Sequence, residues 1–291
     1  MQRLLIHPEG PQFSRIISGA WRWHTVSQDT VEKLIHTSLD EGITTFDHAD
    51  IYGDHSNEEI FGAMLKKDSS LRNKMELVTK CGIKFRSAKR PNTWVKHYDT
   101  SKEHIEWSVN NSLKMLNTDR LDLLLLHRPD PLLNPTEVAE VFNKLKEDGK
   151  VLHFGVSNFT PSQFTMLQKF LPMPLVTNQI EISLSRLDSL FNGDLDLLME
   201  RNTSAMAWSP LGGGKLVVAG EREMFSKASK YNASYSQLSL AWLLKHPAAI
   251  FPVIGTTKPE RIKEAAKSLG INLDRQDWFE MLQWATGNEV A

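Results

Sequence analysis

The run LDLLLLH, residues 121–127, carries leucine on four consecutive positions. Successive side chains of a strand point to opposite faces, so an unbroken apolar run implies a strand covered on both sides, as in a parallel sheet flanked by helices. Working outward, similar short runs recur: IISGA (16–20), ITTFD (43–47) and MELVTK (75–80) before it, then LHFGVS (152–157), LVTNQ (175–179), SAMAWS (204–209) and IFPVIG (250–255). With 121–127 these make eight. Stretches of helical period separate or follow them: TVEKLIHTSLDEG, NEEIFGAMLKK, KEHIEWSVNNSLKML, PTEVAEVFNKLKEDG, PSQFTMLQKFL, LDSLFNGDLDLLMERN, SYSQLSLAWLLKHP and PERIKEAAKSLG. Ser27, Ser56, Thr100, Asn134 and Thr160 stand where helix caps belong. Strict βα alternation of this kind predicts an α/β fold, a closed (β/α)8 TIM barrel in preference to an open doubly wound sheet. An N-terminal β-hairpin (QRLLIH and FSRI around HPEGPQ) is expected before the barrel and an extra C-terminal helix, LDRQDWFEMLQWATG, after it. No Pro/Ser-rich linker or low-complexity tract interrupts the chain, so residues 1–291 read as a single domain.

The formal net charge is −1 with both signs interspersed, which leaves no electrostatic footprint for nucleic acid or an anionic membrane. A single cysteine, Cys81, excludes an internal disulfide. It follows Lys80 directly, so on a strand it points away from that lysine and reads as packing. The start, MQRLLIHPEG, lacks the long apolar core of a signal peptide. No run approaches the roughly 18 apolar residues of a membrane span. The expectation is a cytoplasmic protein; oligomeric state is not legible.

In a (β/α)8 barrel the loops at the carboxyl ends of the strands converge on one opening, where the chemistry gathers. The residues that fall there are Asp47 with Tyr52 just beyond, Lys80, His127, Ser157 and Asn158, Gln179, Trp208 and Ser209, and Gly255, Thr256 and Thr257. Singly, each has an ordinary reading: a carboxylate as a cap, a histidine bonded to a turn, a tryptophan in the core. As a set on one rim they form equipment for proton transfer. An unperturbed phenol titrates near 10, and bringing it to about 7.5 takes roughly 3.4 kcal/mol. One ammonium at about 4 Å, with an effective dielectric near 20, supplies on the order of 4 kcal/mol. Asp47 would keep Lys80 charged, and His127 would hydrogen-bond the oxygen on which charge develops.

Such a set has no electron source, which implies a cofactor. The chain has no G-x-G-x-x-G, so a Rossmann mode is not expected. Phosphate sites in these barrels favour the last strands and a nearby helix N-terminus. SPLGGGKL (209–216) and IGTTKPERIKE (254–264) stand there, with Lys258 and Arg261 as cations.

The motifs DHADIYG…E…FG (47–62), LVTKCG (77–82), LDLLLLHRPD (121–130), GKVLHFGVSNF (149–159), NQIEIS (178–183), AWSPLGGG (207–214) and IGTTKPERIKEA (254–265) closely resemble those of the aldo-keto reductases. The likeness runs from about residue 13 to 265 and is greatest to the bacterial branch related to potassium-channel β subunits. It implies an NADPH-dependent oxidoreductase acting on a small carbonyl substrate, with Asp47, Tyr52, Lys80 and His127 as catalytic tetrad. It further implies that Ser157, Asn158 and Gln179 hold the nicotinamide carboxamide while Trp208 stacks on the ring. Ser209, Leu211, Gly212 and Gly213 would lie around the pyrophosphate, and Gly255, Thr256, Thr257, Lys258, Arg261 and Glu264 around the adenosine phosphate. Ala20 and Trp21 match positions near the ring, Ala20 replacing a threonine common in relatives; Ala265 replaces a frequent asparagine. The tetrad is untouched by either change.

Two other classes compete. A metal-dependent hydrolase would draw ligands from His48, Asp50, His127 and Asp130, although it leaves Tyr52 and Lys80 idle; no metal is expected. A redox-sensing interaction protein would bind NADPH with little catalysis. Trp21, Trp23, Trp94 and Tyr98 are candidates for an aromatic wall at the opening, and the segment 83–99 is expected to fold over it.

Overall fold

The computed structural model describes residues 1–215 and 221–290; Leu216, the last residue of the SPLGGGKL loop, lies outside the described residues. In chain order the strands are β1 (Arg3–Leu5), β2 (Gln12–Ser14), β3 (Ile17–Gly19), β4 (Thr45–Asp47), β5 (Glu76–Cys81), β6 (Ile83–Lys84), β7 (His97–Tyr98), β8 (Leu123–Leu126), β9 (Phe154–Ser157), β10 (Leu175–Glu181), β11 (Met206–Trp208) and β12 (Phe251–Ile254). Eight of them close into a parallel barrel in the order β3, β4, β5, β8, β9, β10, β11, β12, while β1–β2 and β6–β7 are separate antiparallel pairs.

The leucine run of β8 is explained by this closure. Leu123 and Leu125 join Ile17, Val78, Met206, Phe251 and Val253 in one buried cluster, and Leu124 and Leu126 join a second, larger cluster that includes residues of the surrounding helices. The first cluster is the barrel interior, and Ile6 and Phe13 extend it into the N-terminal hairpin segment. Gly155 keeps that interior closed. A Cβ there would stand 2.8 Å from Leu125 Cδ2 and 2.8 Å from the Thr177 carbonyl oxygen, so only glycine leaves the leucine its place.

Helix boundaries follow the capping chemistry with local differences. Ser27 accepts from the Thr30 amide, Asn134 from Thr136, and Thr160 forms a full capping box with Gln163. Ser56 makes no capping bond; its hydroxyl donates to the Gly53 carbonyl instead. The cap of helix Lys102–Leu116 is Ser101, one residue beyond Thr100, whose hydroxyl is committed to Asp130. The expected helix over 187–202 is divided: a short 3-10 turn, Asp188–Leu190, precedes Asp194–Glu200, with Gly193 at φ 88 between them. A further helix, Glu221–Lys230, has too few apolar positions to announce itself; Lys227 and Lys230 tie it to Asp277 of the C-terminal helix Arg275–Thr286. Among the described residues no helix is long and apolar enough to cross a membrane.

Candidate active site

Strand alternation delivers the unusual residues to one place. Val78 faces the barrel interior, so Lys80, two residues on, also faces inward at the carboxyl end of β5. By the same step Leu125 leads to His127, Met206 to Trp208 and Val253 to Gly255. The outward-facing Thr79 donates to Glu58, and Cys81 packs in the outer cluster. Cys81 therefore points away from Lys80, and burial pushes its thiol well up.

Lys80 is fully buried. Its ammonium donates to Asp47 Oδ2 at 2.7 Å, to the His48 carbonyl at 2.7 Å and to Tyr52 Oη at 3.1 Å. An ammonium has three hydrogens, and these partners use all of them. Gln179 Nε2 donates to the other Asp47 oxygen at 2.8 Å. The Tyr52 and His127 rings meet edge to face with centroids 5.8 Å apart. Burial alone would lower the Lys80 pKa, but Asp47 and Tyr52 outweigh it and hold the group above its ordinary value, so it is charged. Burial, with Lys80, Arg128 and Lys96 nearby, holds the His127 imidazole well below its ordinary range and hence neutral.

Tyr52 departs from the simple charge estimate. Its pKa is raised, because burial outweighs the pull of Lys80 and the negative charge of Asp47 opposes it. Desolvation and the Asp47 counter-charge together exceed what one ammonium supplies. The phenol is accordingly a protonated group across neutral pH, equipped to give a proton.

These residues open on a cavity of about 1040 Å³. Of the sequence candidates, Trp21, Asp47, Tyr52, His127, Ser157, Asn158, Gln179, Trp208, Ser209, Leu211, Gly213, Gly255, Thr256, Thr257, Lys258, Arg261 and Glu264 line it. Lys80 reaches it only through Tyr52 and Asp47, while Ala20 is fully buried behind the wall and Gly212 is not on it. At the barrel end Trp208 Nε1 donates to Asn158 Oδ1 at 2.9 Å, and Ser157 Oγ donates to the Gln179 carbonyl at 2.8 Å. Asn158 and Ser209 both adopt left-handed backbone (φ 62 and 48), a conformation costly for non-glycine residues. Across the opening, Lys258 is the N-cap of helix Pro259–Lys267 and offers no side-chain cap, and Arg261 lies in the first turn.

Sequence reasoning missed Arg22, which donates to the carbonyls of Gly213 (2.9 Å) and Gly255 (3.3 Å) and so links the loops after β11 and β12. It also missed Arg128 and Lys96 on the wall. The segment 83–99 forms one side of the cavity through Ile83, Phe85, Lys96 and Tyr98, braced by the β6–β7 pairing. Of the proposed aromatic wall, Trp23 is fully buried in the core and Trp94 is 82% exposed, off the cavity.

The hydrolase set does not assemble. Among the described residues no group of three or more His, Cys, Asp or Glu is arranged to hold a metal ion. His48 packs edge-on against Phe61 at 4.5 Å, and Asp130 accepts from the Thr100 amide and hydroxyl. Asp50 is buried with Ser108 donating to it at 2.7 Å. Burial raises Asp50 to about 8 and Glu58 to about 7. An unfolded carboxyl titrates near 4, so the native state binds more protons above that and stability falls as pH rises through the folded values. Glu58 has spent most of its share by pH 7, which leaves Asp50 to set the slope from there to pH 8. The urea midpoint should therefore drop over that interval in the wild type and much less in Asp50→Asn; equal slopes contradict the assignment.

Residues 15–284 match the family model described as the Aldo/keto reductase family. The chain is similar to the "6-dehydroglucose reductase" of Agrobacterium fabrum, 45% identical with all of both chains covered. It is also similar to a "Putative voltage-gated potassium channel subunit beta" of Schizosaccharomyces pombe, 29% identical over 89% of this chain and 86% of that one. In fold it matches the crystal structure of a thermostable aldo-keto reductase, Tm1743, with its inhibitor epalrestat: TM-score 0.86, 23% identity, 98% and 100% of the two chains covered.

Proposed function

Because the chain belongs to the aldo/keto reductase family, a family of oxidoreductases, we propose that it reduces aldehydes or ketones to alcohols with NADPH, using Tyr52 as proton donor. One observation carries this reading: Lys80 donates its third hydrogen to Tyr52 Oη. A phenol oxygen that accepts from Lys80 keeps its own hydrogen for another acceptor, and the cavity is where that acceptor would lie.

The wall fits a dinucleotide phosphate. A cavity of about 1040 Å³ is at the upper end for small-molecule sites and more than a small carbonyl compound fills. Trp208, Asn158, Gln179 and Ser157 offer a flat ring and amide or hydroxyl groups suited to a nicotinamide carboxamide. Lys258 and Arg261, at a helix N-terminus and with no carboxylate partner among the described residues, suit phosphate. When bound, NADPH supplies the hydride. The chain does the rest. Tyr52 gives its proton to the substrate oxygen, Lys80 stabilises the phenolate left behind, Asp47 holds Lys80 charged, and neutral His127 orients the oxygen. Reprotonation of Tyr52 from solvent resets the site. The sugar aldehyde in the name of the 45% relative supports an aldehyde as the reacting group.

Arg261 is assigned to the ribose 2′-phosphate. Arg261→Ala should raise the KM for NADPH by about ten- to a hundred-fold, the range for a charged hydrogen bond, and that for NADH far less. Equal changes with the two cofactors contradict the assignment.

A further inference from the structure

The proposed chemistry leaves two cations on the cavity wall unexplained. Arg128 follows His127 in the loop after β8, with its guanidinium carbon 5.7 Å from the centroid of the Trp208 ring. Lys96 enters from the segment that precedes β7. Neither has a carboxylate partner among the described residues, and both charges act on His127. Arg128 is half-buried, and a half-buried cation without a counter-ion is held at a cost that an incoming anion removes; Lys96 is exposed and acts as a charge at the opening.

The cofactor is not that anion. Its phosphates, on the reading above, belong with Lys258 and Arg261 after β12. In the closed strand order β8 lies four strands from β12 in either direction, directly across the barrel. Arg128 is therefore rooted on the opposite rim from those phosphates and extends over the opening toward the Trp208 ring, where its charge acts on Tyr52 and His127 and meets an entering substrate. The approach to that rim is also positive. Residues 83–98 contain five Lys or Arg and no Asp or Glu; Lys96 lines this cavity while Lys84, Lys89 and Arg90 line a neighbouring one, and among the described residues only Lys84 of the five is ion-paired, with Asp99. Three acids lie on the wall: Asp47 is committed to Lys80, Glu264 accepts from Ser234, and the exposed Asp54, with no ion pair among the described residues, leaves Arg128 and Lys96 together in excess of it.

We propose that the substrate is an anionic carbonyl compound, an aldehyde or ketone bearing a carboxylate, and that Arg128 selects it by a charge-assisted hydrogen bond while Lys96 and the basic 83–98 segment draw it to the opening. This rests on the carbonyl-reductase reading. Arg128 acts on specificity: it binds the part of the substrate that does not react.

The test compares kcat/KM, at saturating NADPH, for succinic semialdehyde and para-carboxybenzaldehyde against their uncharged methyl esters. Wild type should favour the acids by about ten- to a hundred-fold, and the preference should shrink with added salt. Arg128→Gln should lower kcat/KM for the acids, mainly through KM, about tenfold more than for the esters, and Arg128→Lys should restore part of the difference. Equal efficiency toward acids and esters in the wild type, or equal losses in Arg128→Gln, overturns the inference and leaves the reductase reading intact. Turnover of none of the four compounds overturns both.

Discussion

Tyr52→Phe should cut carbonyl reduction by about 10²- to 10⁴-fold, the usual contribution of a positioned acid, while NADPH affinity changes by no more than a few fold. The substitution is well isolated. Phenylalanine keeps the ring that meets His127 edge to face and over which the Lys80 ammonium lies at 4.9 Å from the centroid. Lys80 loses one acceptor yet retains Asp47 and the His48 carbonyl, so the stability cost should be about 1 kcal/mol. What disappears is the proton source. Cofactor fluorescence reports binding and steady-state kinetics report turnover; a variant keeping more than about a tenth of wild-type activity would show that the proton comes from elsewhere.

Lys80→Met should abolish turnover and also destabilise the fold, by about 3–5 kcal/mol, because it strands the buried Asp47 carboxylate without its charge partner. Gln179 would remain bonded to one oxygen, which softens the loss without replacing a cation. The two effects can be separated. Adding Asp47→Asn removes the stranded charge, and a neutral pair of similar volume is often tolerated in place of a buried ion pair. The double variant should recover most of the urea midpoint and none of the activity. A single variant as stable as wild type would mean that the Asp47–Lys80 pair is solvated; a double variant that reduces aldehydes would remove the ammonium from the mechanism.

Much of this arrangement was legible because strand alternation converts sequence parity into geometry. Once the leucines of 121–127 are read as a strand buried on both faces, His127 must share a face with Leu123 and Leu125, and the same rule carries Lys80 inward and Cys81 outward. The inward placing of Asp47, Lys80 and His127 needed no more than that rule and the closure of the barrel; Tyr52, in the short helix Tyr52–His55 beyond β4, was legible only through its motif. What escaped depends on loops, where no period operates. Arg22 reaches two carbonyls more than 190 positions away, a bond that no local pattern announces. Arg128 hid behind His127 in a turn-like HRPD, and the β6–β7 pairing that sets Lys96 on the wall is only two residues long on each side. Ala20 was carried toward the ring by resemblance, but its place at the end of a strand puts it behind the wall, with Gly19 and Trp21 lining the cavity on either side. The direction of the Tyr52 shift failed for a different reason. Charge spacing was legible; the dryness of the site, which outweighs it, comes from the packing of the whole barrel mouth.

In the proposed reaction Tyr52, held by Lys80, protonates a carbonyl oxygen as NADPH is consumed. The most direct measurement titrates the protein with NADPH by fluorescence and then adds aldehydes while following cofactor absorbance. The predicted result is saturable binding followed by aldehyde-dependent loss of NADPH, with one alcohol formed for each cofactor oxidised. Tight NADPH binding with no aldehyde-dependent oxidation across the panel would contradict it and leave a protein that holds the cofactor without using it.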